Sequence, residues 1–398
     1  MTRHLLRTAV ATALALGALG PAGPALASPS SDGVHTVRVP GGDPHERSLA
    51  PRTTEPFSML GITWDDPDAA LDGTAQVRTR SRESGAWSPW RALDTDVRTP
   101  ETSPDRDGAS VRGGTQPLWA GPSDGVQVRV SGSRLPAGLR VELVDPEGGA
   151  EAVHTAVVEP DLVEPDVPPA VVGPAAGAPS AERPAMTPRS AWGADESLVK
   201  DPPSYTADTQ ALFVHHTAGT NDYTCEESAS IVRGVFLYHV RSNGWNDIGY
   251  HFLVDKCGTV FEGRAGGVDK PVLGAHTYGF NTATSSVSVL GDYTTATTNT
   301  AVRESVAKVA AWKLGLYGLD PTGTTVLTAG ADNGKYKLGQ KVTLHRVSGH
   351  RDGYPTACPG QNLYDDLPEI RTLAGNAGKP TEPAPEPTGP GTEAVLGR

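Results

Sequence analysis

Residues 34–153 carry short runs in which apolar and polar positions alternate, at 34–39, 75–80, 125–131 and 139–144. A period of two sends successive side chains to opposite faces of a strand. Clusters of Gly, Pro and Asp separate the runs, so a small antiparallel β domain is expected there. From Met186 onward the pattern is mixed. Residues 212–216 form a short apolar strand, 250–254 and 259–262 are two strands around a Lys256-Cys257-Gly258 turn, and 286–290 is another strand. Ile231, Val235 and Tyr238 fall on one stripe of a helix expected over 226–242, which Asn243-Gly244 stops. A second helix over 300–317 carries Val302, Val306, Val309 and Ala310 and closes at Gly318, and a third is expected over 364–374. Strands interspersed with helices indicate an α/β unit, a mixed central β-sheet flanked by helices, preceded by the small all-β domain.

Composition adds the connecting material and the address. With 398 residues, 35 Pro and 46 Gly, the chain is long enough for two folded units and rich enough in turn formers for long linkers. Pro recurs through 156–185 without any aromatic residue, a composition that makes a spacer and cannot assemble a core. The end of the chain reads the same way. At the start, Arg3, His4 and Arg7 precede an apolar run at 8–19, and Ala25-Leu26-Ala27 offers a small-x-small cleavage site. Gly20, Pro21, Gly23 and Pro24 break that run too soon for a membrane anchor. The expected division is a signal peptide at 1–27, a β-rich domain at 34–154, a linker at 155–185, an α/β domain at 186–375 and a disordered tail at 376–398. Such a protein is secreted and soluble outside the cytoplasm, with no membrane partner. A net charge of −12 argues against nucleic acid, since phosphates need cations to neutralise them. The tryptophans Trp64, Trp87, Trp90 and Trp119 could stack on sugar rings, but aromatics dominate small cores, and the core reading is preferred.

Candidate chemistry centres on one cysteine. Cys358 sits in the turn Tyr354-Pro-Thr-Ala-Cys358-Pro-Gly360, eight residues after His350. Thiolate and imidazole are the donors zinc prefers, and a catalytic site needs three of them with a fourth position left for water. The pair His215-His216, at the end of a buried-looking strand, is the obvious source of the third. No local zinc-finger spacing exists, so spacing alone is weak evidence.

Longer words sharpen the reading. Phe213-Val-His-His-Thr-Ala-Gly219, Gly244-Trp-Asn-Asp-Ile-Gly-Tyr-His-Phe-Leu-Val254 and Val260-Phe-Glu-Gly-Arg264 closely resemble the peptidoglycan recognition proteins and the related type 2 N-acetylmuramoyl-L-alanine amidases. Gly274-Ala-His-Thr277, Gly349-His-Arg-Asp352 and Thr356-Ala-Cys-Pro-Gly360 follow in the same order, and Arg189-Ser-Ala-Trp-Gly-Ala194 looks like the opening segment of the recognition branch. The resemblance covers about residues 186–375. It implies zinc held by His215, His350 and Cys358, with His216 structural on the opposite face of its strand. It implies a catalytic tyrosine at Tyr250, and it sets Thr356 where endolysins carry a catalytic lysine, so that a hydroxyl replaces a charge. His251 and His276 are expected to line the groove or orient partners, and His239 and His345 to be packing or surface residues.

The activity so implied is zinc-dependent hydrolysis of the amide between N-acetylmuramic acid and L-alanine in peptidoglycan, with peptidoglycan or muropeptides as partner and a cell-wall location. Tyr250 would donate to the developing oxyanion, and no HExxH glutamate base is present. A non-catalytic peptidoglycan-binding receptor is the alternative, although such binders typically lack the cysteine that is present here. A structural zinc staple would need a fourth protein ligand. With Cys358 taken by the metal, Cys225 and Cys257 are expected to pair in an oxidising compartment.

Overall fold

The computed structural model describes residues 33–108, 110–148 and 181–377. The expected signal peptide, the tail beyond 377 and most of the linker lie outside the described residues.

The first unit is one seven-stranded, wholly antiparallel sheet. Its strands are β1 (Val34–Arg38), β2 (Glu46–Trp64), β3 (Gly73–Ser81), β4 (Arg91–Leu93), β5 (Gly113–Gly114), β6 (Leu118–Gly132) and β7 (Arg140–Val144), in the order β1-β7-β2-β6-β3-β4 with β5 beside β2. No alternating run announces β2, and β6 is far longer than the run at 125–131. β2 spans 19 residues and β6 spans 15, and their pairing shifts register at three points, which bends both strands so that one sheet can wrap its own core. Phe57, Leu60, Ile62, Trp64, Val77, Val126, Val128, Val141 and Leu143 fill that core. Trp64 and Trp119 are buried, as the core reading expects. Trp87 and Trp90 stay half-buried at the surface in a ladder with arginines, Arg78 lying 5.3 Å from both rings and Arg129 4.2 Å from Trp90.

The second unit is α/β. Its elements are α1 (Arg189–Trp192), β8 (Ala211–His216), α2 (Ser228–Leu237), β9 (Phe252–Val254), β10 (Val260–Glu262), β11 (Thr284–Val289) and α3 (Thr300–Gly315). They are followed by β12 (Thr324–Thr328), β13 (Lys341–His345), β14 (Val347–Gly349), α4 (His350–Gly353), α5 (Gln361–Asp365) and α6 (Leu367–Asn376). The sheet runs β10-β9-β11-β8-β14, antiparallel at the β9–β10 hairpin and parallel elsewhere. The mixed sheet flanked by helices is the expected fold class. Against one face pack α3 and α6, through Val302, Val306, Val309, Leu367 and Ile370 onto Leu212, Val214, Val287 and Val289. Against the other packs α2, through Ile231, Val235 and Phe236.

The local outcomes follow local chemistry. Asn299 caps α3 by accepting from the Val302 N–H at 3.0 Å. The helix expected over 226–242 becomes α2 followed by one wide turn, Tyr238–Ser242, before Gly244 at φ +75° ends it. The terminal helix is two helices, because Asp366-Leu367-Pro368 restarts the turn. The hairpin β12–β13 has no counterpart among the expected elements. Its strands are mostly exposed; Leu327 and Val342 are buried against Phe213 and Phe280, and Leu344 packs beside them half-buried.

The two units share a core. Met59, Trp119 and Val144 of the β domain join Tyr223, Ile231, Val235 and Tyr238 of the α/β unit in one apolar cluster. The Tyr238 hydroxyl donates to the Thr115 carbonyl at 3.1 Å, and Gly61 gives its ring room: a Cβ there would meet the phenol at under 2.6 Å.

Candidate metal centre under an interdomain roof

β8 is an interior strand, hydrogen-bonded on both sides and buried along its whole length. Alternation therefore matters. Leu212 and Val214 face the α3 layer, while Ala211 and Phe213 face the side covered by β12–β13. His215 continues the second row. His216 continues the first, accepts from the Tyr293 N–H at 3.2 Å and lies 3.7 Å from Asp292, as a structural histidine would. β14 pairs with β8 and delivers His350 at its carboxyl end, the edge where open α/β sheets place their ligands. The next turn brings Cys358 back under the same edge. Thr356 caps that turn, its hydroxyl accepting from the Cys358 N–H at 3.1 Å, and the His216 N–H donates to the sulfur at 3.4 Å.

One donor atom each from His215, His350 and Cys358 lies within 4.8 Å of the other two. All three residues are buried, at 1%, 6% and 1% exposure. Both ring nitrogens of His350 lack a hydrogen-bond partner among the described residues, which is costly for a buried imidazole. Burial, and then the charge of His216, lowers His350 to about 3, and burial likewise drives His215 well below its ordinary range. Both rings are therefore neutral donors. Burial pushes the Cys358 thiol up, and a dication would reverse that by ionising it. Two neutral imidazoles and one ionisable thiol, with an otherwise unpaired ring, fit zinc.

Around the donors stand Tyr250, 3% exposed with its ring centroid 5.3 Å from that of His215, and His276, whose ring is 5.4 Å from the same histidine. Burial raises the Tyr250 phenol, so the hydroxyl keeps its proton and stays a donor. His251 is buried away from the groove, Nε2 2.8 Å from the Val272 carbonyl and Nδ1 3.1 Å from the Ser286 hydroxyl. His239 stacks on Trp245 with centroids 4.5 Å apart and forms part of the groove wall. His345 is exposed on β13.

The remaining wall comes from the other unit. Asp96, Val97, Arg98, Pro100 and Gln116 of the β domain line the cavity over the donors. Gln116 Oε1 is 3.5 Å from the Tyr250 hydroxyl, and the Asp96 carboxylate meets the Thr356 hydroxyl and the Ala357 N–H. No period or motif in the sequence marks these residues.

Fold and donor set together define an α/β unit with a candidate three-ligand metal centre, roofed by a β domain. A family model described as N-acetylmuramoyl-L-alanine amidase matches residues 205–361, and one described as Rv3811 N-terminal galactose-binding domain-like matches residues 24–168. Peptidoglycan-recognition protein SC2 of Drosophila simulans is 31% identical over 184 residues, 46% of this chain and 83% of that protein. The N-acetylmuramoyl-L-alanine amidase of Homo sapiens is 32% identical over 188 residues, 46% of this chain but only 28% of that protein. Among solved structures, wild-type Drosophila PGRP-LB aligns at 23% identity with a TM-score of 0.36, covering 46% of this chain and 92% of that one. The chain belongs to the family of peptidoglycan recognition proteins and type 2 N-acetylmuramoyl-L-alanine amidases.

Proposed function

We propose that the chain is a secreted, zinc-dependent N-acetylmuramoyl-L-alanine amidase, which hydrolyses the amide between the lactyl carbonyl of N-acetylmuramic acid and the nitrogen of L-alanine in peptidoglycan. The observation that carries the reading is the convergence of His215, His350 and Cys358, with an unpaired His350 ring, beside a protonated tyrosine. His215, His350 and Cys358 would hold the ion, which supplies Lewis acidity and a water of lowered pKa. Tyr250, held as a neutral phenol, donates a hydrogen bond to the oxygen that gains charge as the carbonyl becomes tetrahedral. Thr356 acts through the cysteine turn, fixing Cys358 by accepting its N–H, and supplies no charge to the reaction. His276, with Nδ1 2.9 Å from the Thr277 hydroxyl, holds the wall beside His215. Water adds across the amide, leaving a muramic carboxylate and the free amine of the stem peptide. Among the described residues no helix is long and apolar enough to cross a membrane, and the amino-terminal pattern supports export.

The receptor reading separates cleanly from this one. Defined muropeptides incubated with the zinc-loaded chain should release, however slowly, a stem peptide with a free N-terminal alanine, seen by mass spectrometry. Chelation should stop the release and added zinc restore it. Muropeptide retained intact on the protein would instead mark a receptor.

A further inference from the structure

The donors sit at the floor of the groove, at most 6% exposed, because the β domain covers much of it. The cavity left beside His350 amounts to about 20 Å³, room for one or two waters. What closes it is residues 94–108 of the β domain, a stretch with neither helix nor strand between β4 and β5. Irregular stretches of that length inside compact domains are uncommon and usually functional.

The stretch is fastened to the α/β unit by specific contacts along its length. Arg98 Nε donates to the Tyr354 hydroxyl at 3.1 Å, and Glu101 accepts from the Asn281 amide at 2.8 Å. Asp105, fully buried, makes a bidentate pair with Arg264 at 2.6 and 2.9 Å and accepts from the Asn246 N–H at 3.0 Å. Val97 and Val111 cover Trp245 and Ala275. Gly244 allows the approach, since a Cβ there would meet the Ser110 carbonyl oxygen at 2.6 Å. Trp245, Asn246, Arg264 and Ala275 all belong to the words by which the family was read, and Tyr354 lies in the turn that carries Cys358, so the stretch docks on the groove itself.

Apart from the Val97 contact its attachment is polar and can be undone. If Asp105 leaves, Arg264 keeps the Ile248 and Leu273 carbonyls as acceptors, and the carboxylates of Glu101 and Asp105 regain water. Among the described residues its ties to its own domain are few: Thr99 to the Pro67 carbonyl at 3.1 Å, Arg98 and Arg106 to Asp68, and the Gln116 N–H to the Asp94 carbonyl at 2.9 Å. We propose that residues 94–108 are a latch that keeps the groove closed, making the folded chain a latent enzyme that opens when the β domain releases this stretch. The proposal rests on the amidase reading for its consequence, but the latch has a readout of its own.

That readout is Cys358, the one free thiol among the described cysteines, since Cys225 and Cys257 are bridged. In the full chain stripped of metal, N-ethylmaleimide reaches Cys358 only when the groove opens. Two variants loosen the latch: Asp105→Asn, and Arg98→Ala combined with Glu101→Ala. The second pair of side chains is half-buried, so its loss strands no buried charge and keeps the test valid should Asp105→Asn fold poorly. The expected result is labelling at least tenfold faster than wild type with unchanged circular dichroism, and a matching gain in amine release from muropeptides by the zinc-loaded forms. Equal labelling rates in wild type and in a folded variant would overturn the latch. Faster labelling with no amine release by any form would leave the latch standing and remove the amidase reading.

Discussion

The Cys225–Cys257 bridge ties the turn that opens α2 to the tip of the β9–β10 hairpin. The loop it closes holds 33 residues, from 225 to 257, and includes α2, Trp245, Tyr250 and β9. Opening it by Cys225→Ser with Cys257→Ser releases chain entropy in the unfolded state. For such a loop the entropy model gives about 12.5 cal/mol/K, or about 3.7 kcal/mol at 25 °C. Little else changes in the folded state, because Cys225 is half-buried and Cys257 exposed, so the serines meet solvent and leave no core cavity. The capping box that starts the turn, with the Thr224 N–H donating to Glu227 at 2.7 Å, also survives. The assay is urea unfolding of the full chain, followed by tryptophan fluorescence and by a second probe to isolate the α/β transition. With a slope of about 2.5 kcal/mol/M, the midpoint of that transition should fall by about 1.5 M. A fall below about 0.3 M, with an unchanged slope, would refute the claim that the bridge acts by constraining this loop.

Replacing the thiol by an alcohol, Cys358→Ser, should abolish both stoichiometric zinc and amine release while leaving muropeptide binding measurable, since an alcohol stays protonated where a thiol ionises; wild-type turnover would remove Cys358 from the site. Tyr250→Phe should keep fold and zinc content but slow hydrolysis about a hundredfold or more, the cost of one oxyanion donor. An unchanged kcat would take the tyrosine out of the chemistry.

Much of the chemistry was written in short words along the chain. The side chains at 215, 350 and 358 were readable because each lies in a word whose residues are neighbours in sequence. The opposite facing of His215 and His216 followed from the two-residue period of a strand alone, and β8 keeps that period because both its edges are paired. The pairing of Cys225 with Cys257 needed a count, a compartment and the assignment of Cys358 to the metal. Of the five strands of the α/β sheet, β8, β9, β10 and β11 were likewise legible as periodicity to within a residue or two, as were the helices at most ends, whereas β14, only three residues long, was not. β12–β13 was not, because its strands bury only Leu327 and Val342 and carry almost no alternating signal. Nor was β2, whose bulges interrupt the period that would have revealed it. The roof over the donors was decided by tertiary structure entirely. Asp105 meets Arg264 across 159 residues, Gln116 meets Tyr250 across 134, and Tyr238 reaches Thr115 across 123. A local pattern records which face of an element is apolar, whereas the docking of two folded units depends on shape and charge assembled from distant residues. The sequence thus carried the candidate donor set, and the packing of the β domain against the groove decided how far that set is buried.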